Sequence, residues 1–141
     1  MKKKAGPRRK KVLVIEDDAD VAKILELLLH SLDADVLIAD DGMTGVEMAR
    51  AERPDLVLVD LHLPGMNGIE VIRSLRATPK LAGLPLIVVT GNSTVETVRE
   101  TAKLGANDFL VKANVLAGAG LERIQKYLGP PKSRPRTAAP K

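Results

Sequence analysis

The chain has 141 residues, 45% of them hydrophobic and 28% charged, which is typical of a single globular domain with a substantial core. No stretch approaches the roughly 20 apolar residues that a membrane-spanning helix needs, and the apolar run from Val12 to Ile15 is too short for a secretory signal. The absence of cysteine excludes disulfides and thiolate metal sites, so a cytoplasmic protein is expected.

The net charge of +4 is unevenly distributed along the chain. Residues 1–11 hold seven Lys or Arg and residues 129–141 hold four, with no acid in either segment. The remaining residues, 12–128, contain 11 basic and 18 acidic side chains, a net charge near −7. We therefore predict an acidic folded domain over 12–128 between two basic, disordered tails, the second of them rich in proline. Solvated arms are the preferred interpretation of the tails, with contact to nucleic acid or an acidic membrane as the alternative.

Short apolar runs alternate with helical patterns between residues 12 and 128. Runs of three or four consecutive apolar residues are typical of strands buried on both faces, which occur in parallel sheets. Strands are predicted over 12–15, 36–39, 56–59, 86–89 and 109–111. Helices are predicted over 19–32, 42–52, from the 64–68 loop to Arg76, over 94–104, and in a last segment that buries Leu121, Ile124 and Leu128. This alternation predicts a doubly wound α/β domain.

Local signals bound two of these helices. Pro54 blocks continuation of the second helix, because proline lacks the backbone N–H that a helix interior needs. Residues 93–96 have the form of a capping box with Ser93 as the N-cap of the fourth helix, and Gly105 suits the position after its last residue.

Polar residues stand where four of the predicted strands end. Glu16 and Asp17 follow the first strand, Asp60 the third, Thr90 the fourth and Lys112 the fifth. Because the carboxyl ends of parallel strands open onto one edge of the sheet, where ligands bind, we expect these five side chains to share a crevice. Helix capping alone would explain an acid such as Asp17. It does not explain Asp60, since the next helix begins only near Gly68 and a carboxylate at the mouth of a buried strand needs a partner or a cation.

The residue types in this crevice indicate phosphoryl chemistry. Three clustered carboxylates repel one another unless a proton or a divalent cation lies among them. Oxygen ligands without nearby His or Cys favour Mg²⁺. Beside such a cation, Asp60 is a candidate nucleophile that forms an aspartyl phosphate, with Lys112 and Thr90 binding the phosphoryl oxygens.

These segments resemble the receiver domain of two-component response regulators, and in particular the chemotaxis-regulator type. The resemblance rests on residues 12–18 (VLVIEDD), 60–68 (DLHLPGMNG), 89–91 (VTG) and Lys112, and it covers essentially all of 12–128. It implies a flavodoxin-like (βα)5 fold with a five-stranded parallel sheet in the order 2-1-3-4-5 and helices on both faces.

The resemblance also implies a role for each residue of the crevice. Asp60 would accept a phosphoryl group from the phosphohistidine of a sensor histidine kinase or a histidine phosphotransfer protein. Asp17 and Asp60 would bind Mg²⁺, with Mn²⁺ as an alternative ion, and the main-chain carbonyl of His62 would add a ligand. Glu16 would hold a metal-bound water, and Lys112 would pair with Asp60 and then with the phosphoryl group. The domain would then catalyse only its own phosphorylation and dephosphorylation.

A conformational switch is implied in the same way. Thr90 would move onto a phosphoryl oxygen and Phe109 would turn inward, although a simple core aromatic is the other interpretation of Phe109. The face formed by the fourth helix, fifth strand and fifth helix would then dock on a downstream protein that the sequence does not identify. His62 and Asn92, two residues after Asp60 and Thr90, lie where the family tunes the phosphate lifetime, and exposed spectators are the alternative. Whether phosphorylation also produces a homodimer stays open.

The sequence departs from the family pattern after Lys112. Ala113 stands where the family usually has a proline in a cis peptide, and because a cis bond to a non-proline residue costs about 2.5–4 kcal/mol, we predict a trans bond. The following stretch to Gly120 looks longer than usual, and Gly118 and Gly120 are poor helix formers, so the fifth helix is predicted to start late.

Two other classes of protein share part of this residue pattern. A haloacid-dehalogenase-like phosphatase also uses Asp, Ser or Thr, Lys and Mg²⁺, but it places its nucleophile on the first strand, whereas here the acidic pair comes first. A pseudo-receiver that is never phosphorylated is disfavoured because all five positions are filled. For output, we expect a stand-alone receiver, with a phosphorelay intermediate or an excised receiver of a longer regulator as alternatives.

Overall fold

A five-stranded parallel sheet forms the centre of the domain. The computed structural model describes residues 9–91 and 94–129. The strands lie in the order β2-β1-β3-β4-β5, and each neighbouring pair is parallel. The predicted flavodoxin-like fold and its strand order are therefore confirmed.

The elements follow one another as alternating strands and helices. The strands are β1 (Lys10–Ile15), β2 (Ala34–Ala39), β3 (Leu56–Val59), β4 (Leu86–Thr90) and β5 (Asp108–Val111). The helices are α1 (Ala19–His30), α2 (Gly42–Glu52), α3 (Gly68–Ala77), α4 (Val95–Leu104), α5 (Lys112–Leu116) and α6 (Leu121–Leu128), with a 3₁₀ turn at Pro79–Leu81. No helix in the described ranges is long and apolar enough to cross a membrane.

Helices cover both faces of the sheet, which explains why its strands are apolar without alternation. Leu13 and Ile15 point to one face, where they pack with residues of α2 and α3. Val12 and Val14 point to the other, where they pack with residues of α1, α5 and α6. Every residue of the central strands β3 and β4 is thus buried against one helical layer or the other.

The region after β5 differs from the prediction. Lys112 does not end the fifth strand but begins the short helix α5, which was not predicted. Gly118 and Gly120 then adopt left-handed φ angles of 92° and 85°, and α6 starts at Leu121, so the predicted late start of the last helix is confirmed. No peptide bond between described residues is cis, and the Lys112–Ala113 bond is therefore trans, as predicted.

Two contacts attach α6 to the beginning of β5. The Arg123 guanidinium lies 2.8 Å from the Asp108 carboxylate. The Tyr127 hydroxyl donates to the main-chain oxygen of Asn107 at 2.9 Å. Helix α6 is thus held beside β5 by side chains one turn apart on the helix.

Two predicted boundaries were wrong. The N-cap of α4 is Thr94, whose hydroxyl accepts the Thr97 N–H at 3.1 Å, and the Ser93 of the predicted capping box lies outside the described residues. The first strand begins at Lys10, so Lys10 and Lys11 belong to the sheet and not to the predicted tail. The predicted disorder of the rest of the tails, 1–8 and 130–141, concerns residues outside the described ranges.

Candidate functional site

The carboxyl edge of the sheet carries the five polar residues that the sequence singled out. Pairing continues one residue beyond the strands, because the Glu16 N–H donates to the Ala39 oxygen at 2.9 Å and the Asp60 N–H donates to the Ile15 oxygen at 3.1 Å. These backbone bonds fix the positions from which the Glu16 and Asp60 side chains leave the sheet.

Three carboxylates form a cluster at this edge. One oxygen each of Glu16, Asp17 and Asp60 can be chosen so that all three atoms lie within 4.8 Å of one another. Glu16 and Asp60 are only 2% and 5% exposed, whereas Asp17 is exposed to solvent. A set of hard oxygen donors, two buried and one open, suits a small divalent cation such as Mg²⁺ or Mn²⁺.

Lys112 is the cation that the structure places inside this cluster. Its Nζ lies 2.7 Å from Asp60 Oδ2 and 2.9 Å from Glu16 Oε1. Burial alone would lower the pKa of Lys112, but the hydrogen bonds to Asp60 and Glu16 outweigh it and hold that pKa above its ordinary value. The ammonium is therefore charged while it balances part of the negative charge.

Glu16 is the most deeply buried acid of the cluster. Burial raises the pKa of Glu16 above its ordinary value, although the hydrogen bonds from Lys112 and from the Asp18 N–H act in the opposite direction. The Asp18 N–H donates to Glu16 Oε2 at 3.1 Å. The hydrogen bond from Lys112 therefore does not fully offset the effect of burial on the pKa of Glu16.

The Thr90 hydroxyl is completely buried, and no described residue offers it a hydrogen bond. Extending the β3–β4 register by one residue places Asp60 beside Val89, so Thr90 lies one residue further along the neighbouring strand. An unpaired buried hydroxyl is unfavourable, since about 1–3 kcal/mol is lost when such a group is desolvated without a partner. Among the described residues, Thr90 is thus a donor without an acceptor next to the acidic cluster.

The loop after β3 contacts both the side chain and the main chain of Asp60. The His62 N–H donates to Asp60 Oδ1 at 3.2 Å. A Cβ added at Gly68 would meet the main-chain oxygen of Asp60 and lie 2.6 Å from Leu61 Cα, so only glycine allows α3 to begin this close to the end of the strand. Asn67 caps α3 in a reciprocal capping box with Glu70.

A cleft of about 580 Å³ opens beside the cluster. The exposed His62 side chain lines this cleft. Asn92 lies outside the described residues. The roles of both residues in setting the phosphate lifetime therefore stay predictions. Polar residues on the cleft wall are Asp17, His62, Asn67, Thr97 and Glu100. Thr97 and Glu100 were not predicted as site residues, and they reach the site only through the placement of α4.

Phe109 lies on the same face of the sheet as Thr90. In the β4–β5 register Phe109 is opposite Val88, and Thr90 comes two residues after Val88 on the same side of the strand. Phe109 is half-buried at the wall of a cleft of about 660 Å³ between α4, β5 and α6. This cleft is lined by Val95, Val98, Ala102, Phe109, Val111 and Arg123. No described contact links Phe109 directly to the acidic cluster.

The structure thus brings Glu16, Asp17, Asp60 and Lys112 together and places Thr90 on the adjoining strand end. Gly68 was quoted only as part of the family segment, and its packing role was missed. The signal that could have revealed it is a glycine directly after an N-cap asparagine, at a helix start where other residues are better helix formers.

The profile of the response regulator receiver domain matches residues 12–118. This match covers most of the chain, so the chain belongs to the family of response regulator receiver domains, the signalling domains of two-component systems.

Solved receiver domains are similar in both fold and sequence. The BeF3-activated N-terminal receiver domain of Klebsiella pneumoniae RstA has a TM-score of 0.77 and 30% identity, with 86% of this chain and 100% of that chain covered. The receiver domain of the sensor histidine kinase PA1611 from Pseudomonas aeruginosa has a TM-score of 0.77 and 29% identity, with 87% and 100% covered. The PA1611 structure has a magnesium ion coordinated in its active site cleft.

The curated relatives are longer proteins. The DNA-binding response regulator MtrA of Mycobacterium tuberculosis (strain ATCC 25618 / H37Rv) is 41% identical over 56 residues, which are 40% of this chain and 25% of MtrA. The match therefore spans about a quarter of the length of such relatives.

Proposed function

We propose that Asp60 is the phosphoacceptor of this receiver and that it takes its phosphoryl group from a phosphohistidine on a kinase or phosphotransfer protein. The observation that carries the proposal is the position of the Asp60 carboxylate, which binds Lys112 at 2.7 Å within 4.8 Å of two further acids. One oxygen of Asp60 forms the new O–P bond while the P–N bond of the donor breaks, and the donor imidazole leaves with its electron pair.

Each neighbouring residue has a part in this transfer. Lys112 moves from the Asp60 carboxylate to the phosphoryl oxygens, whose charge its ammonium offsets. Asp17, Asp60 and the main-chain carbonyl of His62 would hold Mg²⁺ or Mn²⁺, and Glu16 would hold a water beside it. The bound ion supplies positive charge that allows the acidic cluster to accept an anionic group. The magnesium coordinated in the related PA1611 receiver supports this assignment.

Thr90 and Phe109 form the switch in this proposal. The buried Thr90 hydroxyl has no partner among the described residues, and a phosphoryl oxygen on Asp60 offers it an acceptor. Movement of Thr90 toward that oxygen frees space on the face of the sheet that Phe109 shares, and the Phe109 ring turns into it. The surface of α4, β5 and α6, the last of which corresponds to the predicted fifth helix, then changes shape around the 660 Å³ cleft and docks on a downstream protein.

Phosphorylation by a small donor tests the proposal directly. Purified protein is incubated with acetyl phosphate and Mg²⁺, and intact-mass and peptide mass spectrometry follow the label. We expect one phosphoryl group on the peptide that contains Asp60, none after chelation of the metal, and none in an Asp60→Asn variant. Asp40→Asn, which removes an exposed acid just after β2, serves as the matched control and should be labelled normally. A label elsewhere, or an Asp60→Asn variant that is still labelled, would contradict the proposal.

A further inference from the structure

Helix α4 presents opposite charges to the clefts on its two sides. Arg99 lines the cleft of about 660 Å³ beside Phe109. Glu100 lines the cleft of about 580 Å³ beside the acidic cluster. Both side chains are exposed, and neighbouring positions on a helix point about 100° apart. The order of these two residues along α4 thus decides which charge faces the phosphoacceptor pocket.

The 580 Å³ cleft leads toward Asp60. Asp17 belongs both to the cleft wall and to the acidic cluster, and Leu61 and His62 on the wall directly follow Asp60 in the chain. The volume of the cleft lies within the range of about 300–1,000 Å³ that is typical of small-molecule sites. A phosphodonor that approaches Asp60 from this side therefore passes the wall on which Glu100 lies.

Glu100 sets the sign of the charge at this cleft once a metal ion is bound. Lys112 already contacts Asp60 and Glu16. A divalent cation would supply the further positive charge that balances the three acids of the cluster. Among the described residues no lysine or arginine lines the cleft, and none donates a hydrogen bond to Glu100 or forms an ion pair with it. The carboxylate of Glu100 therefore remains as the uncompensated charge of the wall.

An exposed glutamate on a helix has an ordinary explanation, because glutamate is a good helix former and is usually solvated. This explanation applies equally to Glu47 on α2 and to Glu96 in the first turn of α4, neither of which lines either cleft. Glu100 differs from both in its position beside the phosphoacceptor pocket.

We propose that Glu100 is a specificity-determining residue of phosphoryl transfer, which favours a donor with an imidazole leaving group over small anionic phosphodonors. The inference rests on the proposed function, because it takes Asp60 as the phosphoacceptor. A phosphoimidazole ring that carries a proton on its second nitrogen is a cation, and the carboxylate of Glu100 attracts it. Acyl phosphates have no positive group, and the same carboxylate repels them.

The transfer itself needs no additional proton from the protein. An oxygen of Asp60 forms a bond to phosphorus while the P–N bond of the donor breaks. The electron pair of that bond stays on the ring nitrogen, so the protonated ring leaves as neutral imidazole. Glu100 takes no part in making or breaking bonds, and it acts only through the charge that the arriving donor meets.

Comparison of two small donors tests this inference on the full chain. Acetyl phosphate and phosphoimidazole are supplied separately at saturating Mg²⁺ and at one pH, and mass spectrometry measures the rate at which the peptide containing Asp60 is labelled. At low ionic strength we expect the rate with acetyl phosphate, relative to that with phosphoimidazole, to rise about threefold in Glu100→Gln and about tenfold in Glu100→Lys. Both ratios should approach that of the natural chain in about 1 M salt, where the Debye length falls to about 3 Å.

Matched variants of Glu47 separate a local effect from the change in net charge. Glu47→Gln and Glu47→Lys remove or reverse the same charge at an exposed position of α2, and the ratio of the two rates should change by less than about 1.5-fold. A ratio that stays the same in Glu100→Lys, or that changes equally in the Glu47 variants, would overturn this inference while leaving Asp60 as the phosphoacceptor. Absence of label on Asp60 with both donors in the natural chain would overturn the proposed function and this inference together.

Discussion

The ammonium of Lys112 lies 2.7 Å from the carboxylate of Asp60, although the two residues are 52 positions apart in the chain. The same ammonium lies 2.9 Å from Glu16, so one cation serves two carboxylates that are almost inaccessible to solvent. Because Asp17 adds a third acid, the pocket keeps an excess of negative charge.

Removal of this cation should destabilise the resting protein. In Lys112→Ala two buried carboxylates lose their partner, and we expect the free energy of unfolding to fall by about 2–3 kcal/mol. This is less than the loss of about 3–5 kcal/mol that is usual when a buried ion pair is broken, because Glu16 can take up a proton. Millimolar Mg²⁺ should restore part of the loss. Urea denaturation with and without Mg²⁺ measures both effects. Lys23→Ala, which removes an exposed lysine paired with Glu26 at 3.6 Å, should change stability by less than 1 kcal/mol.

Replacement of Thr90 by valine should separate stability from switching. Thr90→Val removes a buried hydroxyl that has no partner in the ranges 9–91 and 94–129, and we expect the free energy of unfolding to rise by about 1 kcal/mol. The shift of the Phe109 ring signals that beryllofluoride induces in NMR spectra should disappear in Thr90→Val and persist in Thr90→Ser. A valine variant that is clearly less stable would mean that the hydroxyl has a partner in the resting protein.

A methyl group at position 68 should displace the main chain of Asp60 without contacting the Asp60 side chain. In Gly68→Ala the new Cβ meets the main-chain oxygen of Asp60, and we expect a loss of about 1–3 kcal/mol in stability and slower labelling by acetyl phosphate. Gly83→Ala is the matched control, because a Cβ there would have no atom within 4 Å. Similar behaviour of the two variants would refute the proposed positioning role of Gly68.

Arg76 should hold the end of α4 in place. Its guanidinium donates to the Gly105 oxygen at 3.1 and 2.9 Å and to the Leu81 oxygen at 3.1 Å. Arg76→Met keeps much of the packing but removes both donors to the Gly105 oxygen, while the Leu81 oxygen keeps the Leu84 N–H at 3.1 Å. Stability should therefore fall by about 1–3 kcal/mol. Arg73→Met, at an exposed position of the same helix, should have little effect in the same urea titration.

Asp41 gives a prediction for pH. The N–H and hydroxyl of Thr44 donate to its carboxylate at 2.7 and 3.1 Å, and they lower the pKa of Asp41 below its ordinary 3.8. The folded state then binds fewer protons than the unfolded state, so the stabilisation is complete above pH 3.8 and is lost as pH falls through the lowered value. Asp41→Asn keeps the cap without the charge. Its stability deficit, measured by urea denaturation from neutral pH to about pH 3, should therefore shrink at the acidic end.

Sequence reasoning succeeded where a topological rule applies. Strands ending in Asp60, Thr90 and Lys112 had to deliver these residues to one edge, because parallel strands share their carboxyl edge. It failed where the choice depends on local competition. Ser93 and Thr94 are both good N-caps, and only the observed bond from the Thr97 N–H to Thr94 decides between them.

Other features could not be predicted from the sequence. Helix α5 has five residues, too few for a periodic pattern, and one of them is the Lys112 that was assigned to a strand. Lys10 and Lys11 were counted with a basic tail because charge was their only visible property, yet they pair with β2. That the Thr90 hydroxyl has no partner in the part of the chain that the structure describes depends on every atom around it, and this could not be inferred from the sequence.

Two glycines with left-handed backbone angles, Gly118 and Gly120, separate α5 from α6. Glycine adopts a wide range of backbone angles, so Gly118 and Gly120 would absorb a rotation of α5 before it reached α6. Helix α6 is fastened instead to the opposite end of β5 by Arg123 and Tyr127. In the proposed transfer, Lys112 would thus move between two anions without displacing α6, and the change would reach the surface of α4, β5 and α6 along β5.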